Sequence, residues 1–309
     1  MARRRERGWP PPPEPLPSPV VDDHTHLDSV VGWRAEGWDP QDAHAHPDVE
    51  AQLARAADVG VDRMVQVGCD LDTLAWTDAA VRAYPALLGA VAIHPNEAVL
   101  HAGVREVAPD GLDPDPQPRH EVPLDEALAV VAAVARDNPR IRAIGETGLD
   151  HFRAGEQGRV VQREAFRAHV ALAKELGLAL QIHDRDAHAE VVDVLRRDGA
   201  PERTVFHCFS GGPELAEVCA QEGWYCSFAG PVSFPANEDL RAALRVLPAS
   251  LVLVETDAPY LTVHPFRGRP NAPYLLPGTV RTVAEVTGRE LAEVCATLRA
   301  TAGEVYGDW

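Results

Sequence analysis

Two histidines one residue apart are the first residues of this chain whose type and spacing could do chemistry. His24 and His26 follow the apolar pair Val20-Val21 and precede a polar segment. Side chains two residues apart on a β-strand point to the same face, so a strand here places Asp22 and both imidazoles on one side of its end. Paired imidazoles in that position are typical of a divalent metal site.

Single histidines and acids recur where later apolar runs end. They are His94, Glu146, His183, His207 and Asp257. A carboxylate such as Glu146, which follows the apolar Ile144 by two residues, is costly to bury unless it is paired or binds a metal. The recurrence of these residues at successive run ends predicts one metal site that is assembled from several strands.

Four histidines and two carboxylates are the ligand set of a two-metal centre. Such centres hold cations ~3.5–4 Å apart, stabilise an oxyanion and generate hydroxide near neutral pH. We expect one ion at His24, His26, Glu146 and Asp257, and the other at Glu146, His183 and His207. Asp257 is the expected acceptor for the proton of the attacking water, and Glu255, on the same strand face, is expected to support a ligand. The mixed nitrogen and oxygen donors are compatible with Mg, Mn or Zn.

Two other histidine positions are interpreted differently. His44 and His46 also stand one residue apart, but no apolar run leads into them, so we assign them to a loop. His94 stands alone in Ile93-His94-Pro95, and its place at a run end indicates a side chain that faces the substrate.

Eight apolar or β-rich runs must position these residues. They span Val20–Leu27, Arg63–Gly68, Leu87–Pro95, Ile141–Asp150, Ala179–Asp186, Thr204–Gly211, Trp224–Gly230 and Leu251–Leu261. Helical patterns fill the stretches between them, and strands that alternate with helices indicate a parallel sheet. Eight repeats predict a closed (β/α)8 TIM-type barrel, in which active sites lie at the carboxyl ends of the strands. An open doubly wound sheet is the alternative, but no Gly-x-Gly-x-x-Gly follows the first run.

Interruptions of this pattern define the expected domain organisation. Residues 1–19 contain four arginines and seven prolines, and we expect them to form a disordered arm. Residues 20–309 are expected to form one metal-dependent hydrolase domain. A surface insertion rich in proline and aspartate is predicted at about residues 101–123.

Charge and composition exclude several classes of protein. The net charge of −18 argues against a broad basic surface that coats duplex DNA. Five cysteines, an odd number without a Cys-x-x-Cys pattern, indicate reduced thiols in a cytoplasmic protein. No apolar run reaches the ~18 residues of a membrane span, and the N-terminal arginines lack the apolar segment of an export signal. We also expect a monomer.

Six motifs resemble those of the TatD family of metal-dependent deoxyribonucleases and occur in the family's order. They are Asp22-Asp23-His24-Thr25-His26-Leu27-Asp28, Ile93-His94-Pro95, Gly145-Glu146-Thr147-Gly148-Leu149-Asp150, His183-Asp184-Arg185-Asp186-Ala187, Phe206-His207-Cys208-Phe209-Ser210-Gly211 and Glu255-Thr256-Asp257-Ala258-Pro259-Tyr260-Leu261. The resemblance covers about residues 20–308. It implies a distorted (β/α)8 barrel, a hydrolase that needs divalent cations, and 3′→5′ exonuclease activity on DNA. The family's ligand positions fall on the same six residues that the run ends indicate.

The segment after the eighth run departs from the family pattern. Where the family usually has Arg-Gly-Lys-Arg-Asn, this chain has Arg267-Gly268-Arg269-Pro270-Asn271, so one basic position is lost. Asp184, where Cys is common, adds a negative charge near the expected mouth of the site. We expect Arg185, Arg267 and Arg269 to bind phosphate oxygens. The alternative for Arg185 is an ion pair with Asp186 or another acid.

These observations favour a two-metal phosphodiesterase that acts on DNA, as single strands or at 3′ ends. A metal-dependent amidase, esterase or lactonase on the same barrel is the alternative, and a deacylase of aminoacyl-tRNA also fits the site. Relatives in that wider group often use a carbamylated lysine on the fourth strand, where this chain has Glu146. A barrel that serves only as a binding scaffold is disfavoured because no ligand residue is missing.

Overall fold

The predicted apolar runs form the strands of one parallel sheet. The computed structural model describes residues 8–33 and 48–309. Within them the strands are β1 (Val20–Thr25), β2 (Val61–Gly68), β3 (Leu87–Val91), β4 (Ile141–Asp150), β5 (Ala179–Arg185), β6 (Thr204–Phe206), β7 (Tyr225–Phe228) and β8 (Val252–Val254). Each strand pairs in parallel with the next, in the order β1 to β8. The predicted (β/α)8 barrel is confirmed. The doubly wound alternative is wrong, because a doubly wound sheet does not have its strands in consecutive order.

The barrel closes through hydrogen bonds between the residues that follow β8 and the carboxyl end of β1. The backbone N–H of Asp257 donates to the carbonyl of His24 at 2.9 Å, and the N–H of His26 donates to the carbonyl of Ala258 at 2.9 Å. The closure therefore joins the two chain segments that carry the predicted metal ligands of β1 and β8.

Helices cover the outside of the barrel. In the described part of the chain they are α1 (Leu27–Gly32), α2 (Val49–Ala57), α3 (Leu71–Ala83), α4 (Pro95–His101), α5 (Leu124–Asp137), α6 (Glu156–Leu176), α7 (His188–Asp198), α8 (Pro213–Glu222), α9 (Glu238–Val246), α10 (Leu276–Thr287) and α11 (Leu291–Tyr306). The sequence pattern did not predict α1 and α4, which have six and seven residues, because such short helices show too little of the 3.6-residue period.

The C-terminal helix α11 closes the end of the barrel opposite the site. Ala302, Val305 and Tyr306 of α11 form one apolar cluster with inward-facing strand residues such as Val21 and Ala179, which lie near the amino ends of their strands. A larger apolar cluster fills the space between the barrel and its helices. The burial of α11 under the barrel places the hydroxyl of Tyr306 in the barrel interior.

Residues 8–19 pack against the barrel, which corrects the prediction of a disordered arm for this part of the N-terminal segment. The Tyr274 hydroxyl donates to the carbonyl of Pro10 at 2.6 Å, and Arg281 donates to the carbonyl of Pro15 at 3.0 Å. Proline has no N–H but keeps its carbonyl, so side-chain donors on the barrel can hold a proline-rich segment that could not join a sheet.

Other expectations concern segments outside the regular elements. Residues 102–117 have no helix or strand and run largely exposed between α4 and α5. The pair His44 and His46, and the arginines of residues 1–7, lie outside the described residues. All five cysteines are unpaired, as predicted. No helix in residues 8–33 or 48–309 has both the length and the apolarity needed to cross a membrane.

Candidate metal centre

The barrel brings all six predicted ligands to the mouth formed by the carboxyl ends of its strands. They are His24 on β1, His26 directly after it, Glu146 on β4, His183 on β5, His207 after β6 and Asp257 after β8. Parallel strands of a barrel end at one rim, so residues far apart in sequence meet there. His24, Glu146 and His207 are buried, whereas His26, His183 and Asp257 are partly exposed.

The carboxylate of Glu146 lies at the centre of this cluster. Its Oε1 atom lies 2.6 Å from Nδ1 of His183 and 2.7 Å from Nε2 of His207. Its Oε2 atom lies 3.8 Å from Nε2 of His24. The two oxygens thus face different histidines, which is the geometry of a carboxylate that can contribute one oxygen to each of two cations.

The second carboxylate, Asp257, faces the paired histidines of β1. Its Oδ1 atom lies 3.4 Å from Nε2 of His26 and 3.9 Å from Nε2 of His24. The donor atoms of these three residues all lie within 4.8 Å of one another, and so do those of His24, Glu146 and His207. Each group of three could hold one divalent cation.

The outer nitrogens of the β1 histidines are bonded to oxygen atoms. Nδ1 of His24 lies 3.1 Å from Oε1 of Gln181, and Nδ1 of His26 lies 3.2 Å from the carbonyl oxygen of Val67. These oxygens are acceptors, so Nδ1 carries the hydrogen in each ring. The lone pair of each Nε2 atom therefore points into the cluster, as a metal ligand requires.

Two carboxylates support the other two histidines in the same way. Nε2 of His183 lies 3.2 Å from Oδ2 of Asp150, and Nδ1 of His207 lies 3.2 Å from Oε1 of Glu255. Burial opposes ionisation of Asp150, but its hydrogen bond with His183 lowers the pKa of this carboxyl to about 2. Glu255 thus lies where the sequence places it, beside the predicted ligand His207. Donor types and ring orientations together fit divalent cations.

Protons and cations compete for this cluster. Burial disfavours the charged form of Glu146, but the charge of His207 and the hydrogen bond from His183 hold the pKa of this carboxyl well below its usual value. Burial also opposes protonation of His183, yet its bonds to neighbouring carboxylates raise its pKa to about 9. Against burial, Asp257 raises the pKa of His26 to about 9. Cation binding must therefore displace protons.

Two residues that follow strands adopt left-handed backbone conformations at the site. The φ angle is 52° at Asp257 and 42° at Cys208. A residue other than glycine in this region costs about 1–3 kcal/mol, which the surrounding structure must offset. The N–H of Cys208 donates to Oε1 of Glu255 at 2.8 Å, and this bond helps to hold the turn after His207. Such strain is common at functional sites.

His94 lies beside the cluster, with its Nε2 atom on the side of Glu146. Its Nε2 atom lies 3.6 Å from Oε1 of Glu146, while its Nδ1 atom accepts the N–H of Asn96 at 3.1 Å at the start of α4. The hydrogen of the neutral ring therefore sits on Nε2, and His94 is not prepared to be a ligand on that side. Its substrate-facing role stays a prediction with which this geometry agrees.

Arg185 is the predicted phosphate-binding arginine that the structure brings to the cluster. It lines a cavity of ≈ 390 Å³ together with Glu146 and Asp257. Its guanidinium carbon lies 3.9 Å from the centre of the Phe152 ring. No described carboxylate forms an ion pair with it, so the alternative pairing with Asp186 or another described acid is not found.

The other two arginines lie farther from the ligands. Arg267 lines a neighbouring cavity of ≈ 420 Å³, which shares Tyr260 with the first cavity. Arg269 lines the same cavity, and its guanidinium donates to the backbone carbonyls of Gly8 and Trp9 in the N-terminal segment. The structure therefore places both arginines at a cavity beside the predicted metal site, and their binding to phosphate stays a prediction.

The charge of Asp184 is paired. Its Oδ2 atom lies 2.7 Å from Nδ1 of His188, and its side chain is 5% exposed. This hydrogen bond raises the pKa of His188. Asp184 therefore adds less negative charge to the mouth of the barrel than the sequence alone leads us to expect.

Sequence reasoning missed three residues that contact the predicted ligands. Gln181 and Asp150 bind the outer nitrogens of His24 and His183, and the thiol of Cys69 lies 3.5 Å from Oε2 of Glu146. A signal existed for Gln181, which precedes His183 by two residues and shares its strand face. No comparable pattern in the sequence singles out Cys69.

Comparisons with known proteins agree with the family that the sequence motifs resemble. A family model described as TatD related DNase matches residues 21–307. The chain is 38% identical over 292 residues to a Mycobacterium tuberculosis protein named uncharacterized metal-dependent hydrolase TatD, covering 93% of this chain and 98% of the relative. It is 32% identical over 266 residues to a Cronobacter sakazakii protein named 3′-5′ ssDNA/RNA exonuclease TatD, covering 84% and 92%.

Solved structures with the same fold include TatD proteins. The TatD homologue YjjV of Escherichia coli has a TM-score of 0.76 and 25% identity, with coverage of 94% of this chain and 98% of that one. A TatD family hydrolase of Entamoeba histolytica has a TM-score of 0.75 at 16% identity, covering 94% and 99%, and supports the fold alone.

Proposed function

This chain belongs to the family of TatD-related deoxyribonucleases and is a metal-dependent hydrolase, and from that premise we propose that it removes nucleotides from the 3′ end of single-stranded DNA. We propose two divalent cations, Mg, Mn or Zn, as its cofactors. The names of two relatives, 3′-5′ ssDNA/RNA exonuclease, support a nucleic-acid substrate.

One observation carries this proposal. Each of the four histidines has one nitrogen bonded to an outer acceptor and the other directed at the carboxylates of Glu146 or Asp257. Hydrogen-bond supports of this kind hold metal-binding imidazoles in their ligating form. His24, His26, Glu146 and Asp257 would hold one cation, and Glu146, His183 and His207 would hold the other. When bound, such cations lower the pKa of water and stabilise negative charge on phosphate oxygens.

Three side chains act on the substrate in this proposal. Asp257 accepts a proton from the water that attacks the phosphorus. His94 donates its Nε2 hydrogen to a phosphate oxygen, and Arg185 donates to the same phosphate from the rim of the cavity. The bond between the phosphorus and the 3′ oxygen of the preceding nucleotide breaks, and that oxygen takes a proton from solvent.

The test uses metal-stripped protein and end-labelled single-stranded DNA, with Mg, Mn or Zn added back. A single-stranded RNA of the same sequence runs in parallel because the names of the relatives include both. Glu146→Gln and Asp257→Asn remove the two central carboxylates. Asp137→Asn is the matched control, because the Asp137 side chain is 80% exposed on α5.

We expect a metal-dependent ladder from the 3′ end with the wild type and Asp137→Asn. Glu146→Gln and Asp257→Asn should lose at least about a hundredfold in rate. Two bound metals without cleavage of either nucleic acid would leave the metal site standing and overturn the nuclease proposal. Ester, lactone and aminoacyl-tRNA substrates would then be tested on the same protein.

A further inference from the structure

In the described part of the chain, exposed aromatic side chains are found only at the end of the barrel where the strands have their carboxyl ends. Across residues 8–33 and 48–309, only Phe152 and Tyr260 among Phe, Tyr and Trp are exposed, by 38% and 57%. Tyr260 lines the cavity that contains Glu146 and Asp257, and Phe152 contacts Arg185, which lines the same cavity. Aromatic rings left in water at a cavity rim commonly mark a binding surface.

The backbone around Tyr260 is held firmly. Its N–H donates to the carbonyl of Asp257 at 2.9 Å, and its carbonyl accepts the side-chain amide of Asn271 at 2.7 Å. The next residue, Leu261, has a φ angle of 52°. The ring centre lies 6.1 Å from that of His26. This fixed turn therefore presents the ring directly beside a predicted metal ligand.

Phe152 forms the second surface together with Arg185. It lies two residues beyond the end of β4, and the guanidinium of Arg185 lies over its ring at 3.9 Å. Such cation–π contacts orient a guanidinium parallel to or above a ring while its N–H groups remain available at the edge. The pair thus combines an aromatic face with donors for a phosphate.

The two surfaces lie on opposite sides of the ligand cluster. Phe152 follows β4, and Arg185 is the last residue of β5. Tyr260 follows β8, and its ring packs edge-on against that of His26, the residue after β1. In an eight-stranded barrel with consecutive strand order, these pairs of strands lie across the barrel from each other. A phosphate at the cluster would have one aromatic surface on each side.

We propose that Tyr260 and the Phe152–Arg185 pair are base-stacking platforms that flank the scissile phosphate, one for the last base and one for the base before it. This inference rests on the proposed nuclease function. Aromatic stacking is a recurrent way to hold unpaired bases without reading their sequence. Bases in a duplex are stacked on one another, so both platforms require an unpaired end, and Tyr260 and Phe152 become specificity-determining residues.

The test is a cycle in which a ring and a base are removed separately and together. Wild type, Tyr260→Leu and Phe152→Leu act on three oligonucleotides: an intact single strand, one without its last base, and one without its second-to-last base. We expect each missing base to lower kcat/KM about tenfold to a hundredfold with the wild type. On the intact strand, kcat/KM of each leucine variant should fall by a similar factor. Removal of one of the two bases should then cause no further fall in kcat/KM of that variant.

Two controls separate stacking from a structural role. Tyr260→Phe and Phe152→Tyr keep the rings and should retain the wild-type sensitivity to both missing bases. The affinity for Mn, measured on metal-stripped protein, should be the same in both leucine variants as in the wild type.

The outcomes separate the inference from the function on which it rests. If the wild type degrades the intact strand but the effects of ring and base simply multiply for both platforms, stacking is refuted and the nuclease stands. If the wild type degrades no nucleic acid with any of the three metals, the nuclease proposal falls and this inference falls with it.

Discussion

Replacing Gln181 should weaken metal binding although this residue is not a predicted ligand. Its Oε1 atom accepts from His24 at 3.1 Å, and its amide nitrogen donates to the carbonyl of Asp23 at 2.8 Å and to the hydroxyl of Tyr306 at 2.7 Å. Gln181→Leu keeps a similar volume but leaves His24 free to change its hydrogen position and ring angle. Loss of such a support typically lowers metal affinity by about 10- to 100-fold.

A second variant distinguishes this effect from general destabilisation. Tyr306→Phe removes the hydroxyl that donates to Asp23 at 3.1 Å and accepts from Gln181, but it leaves the bond between Gln181 and His24. Each variant leaves buried polar groups with one partner fewer, at about 1–3 kcal/mol for a group left unsatisfied. Both should therefore lower the free energy of unfolding, while only Gln181→Leu should lower metal affinity strongly.

The assay is calorimetric titration of Mn into metal-stripped protein, with denaturant unfolding of the same samples. An unchanged Mn affinity in Gln181→Leu would refute the claim that Gln181 fixes His24 as a ligand. Equal losses of affinity in both variants would show that barrel stability, and not the bond to His24, controls the site.

Three further predictions follow from other contacts. Asp150→Asn should lower Mn affinity about 10- to 100-fold, measured by the same titration, because an amide supports the His183 ring less strongly than a carboxylate. Burial opposes ionisation of Glu97, but hydrogen bonds from Arg119 outweigh burial and lower the pKa of this carboxyl in the folded state. The ionised carboxylate therefore stabilises the fold fully at pH values above its pKa in the unfolded chain, about 4.3. This stabilisation is lost as the pH falls through the lower pKa of the folded state. Unfolding of Glu97→Gln should thus show lower stability at pH 7 and a smaller further loss in acid. Gly148→Ala should cost about 3 kcal/mol or more, because its Cβ would lie 2.0 Å from the carbonyl of His183 at a φ of 145°.

Each of these has an outcome that contradicts it. Wild-type Mn affinity in Asp150→Asn would remove this residue from the support of the site. If the free energy of unfolding depends on pH in the same way in the wild type and in Glu97→Gln, the partners of Glu97 do not lower its pKa. Gly103→Ala is the control for Gly148→Ala, since it has a φ of 75° with no atom within 4 Å of the new Cβ and should cost only about 1–2 kcal/mol. A similar cost at both positions would refute the predicted clash.

The sequence by itself determined the barrel and the six residues that meet at its mouth. Strands buried on both faces appear as apolar runs, and eight such runs alternating with helices leave few arrangements. Parallel strands end at one rim, so histidines and acids at the run ends had to converge. His24 and Asp257 could be joined in this way although they lie at opposite ends of the chain.

Only the tertiary structure decided the contacts between segments that no local pattern relates. Gln181 supports His24, Asp150 supports His183, and Arg269 donates to the N-terminal segment. Periodicity predicts which face a side chain occupies, but the partner on that face depends on packing of distant elements. For the same reason the proline-rich residues 8–19, which have no period of their own, were predicted to be disordered until their carbonyls were seen to accept hydrogen bonds from the barrel.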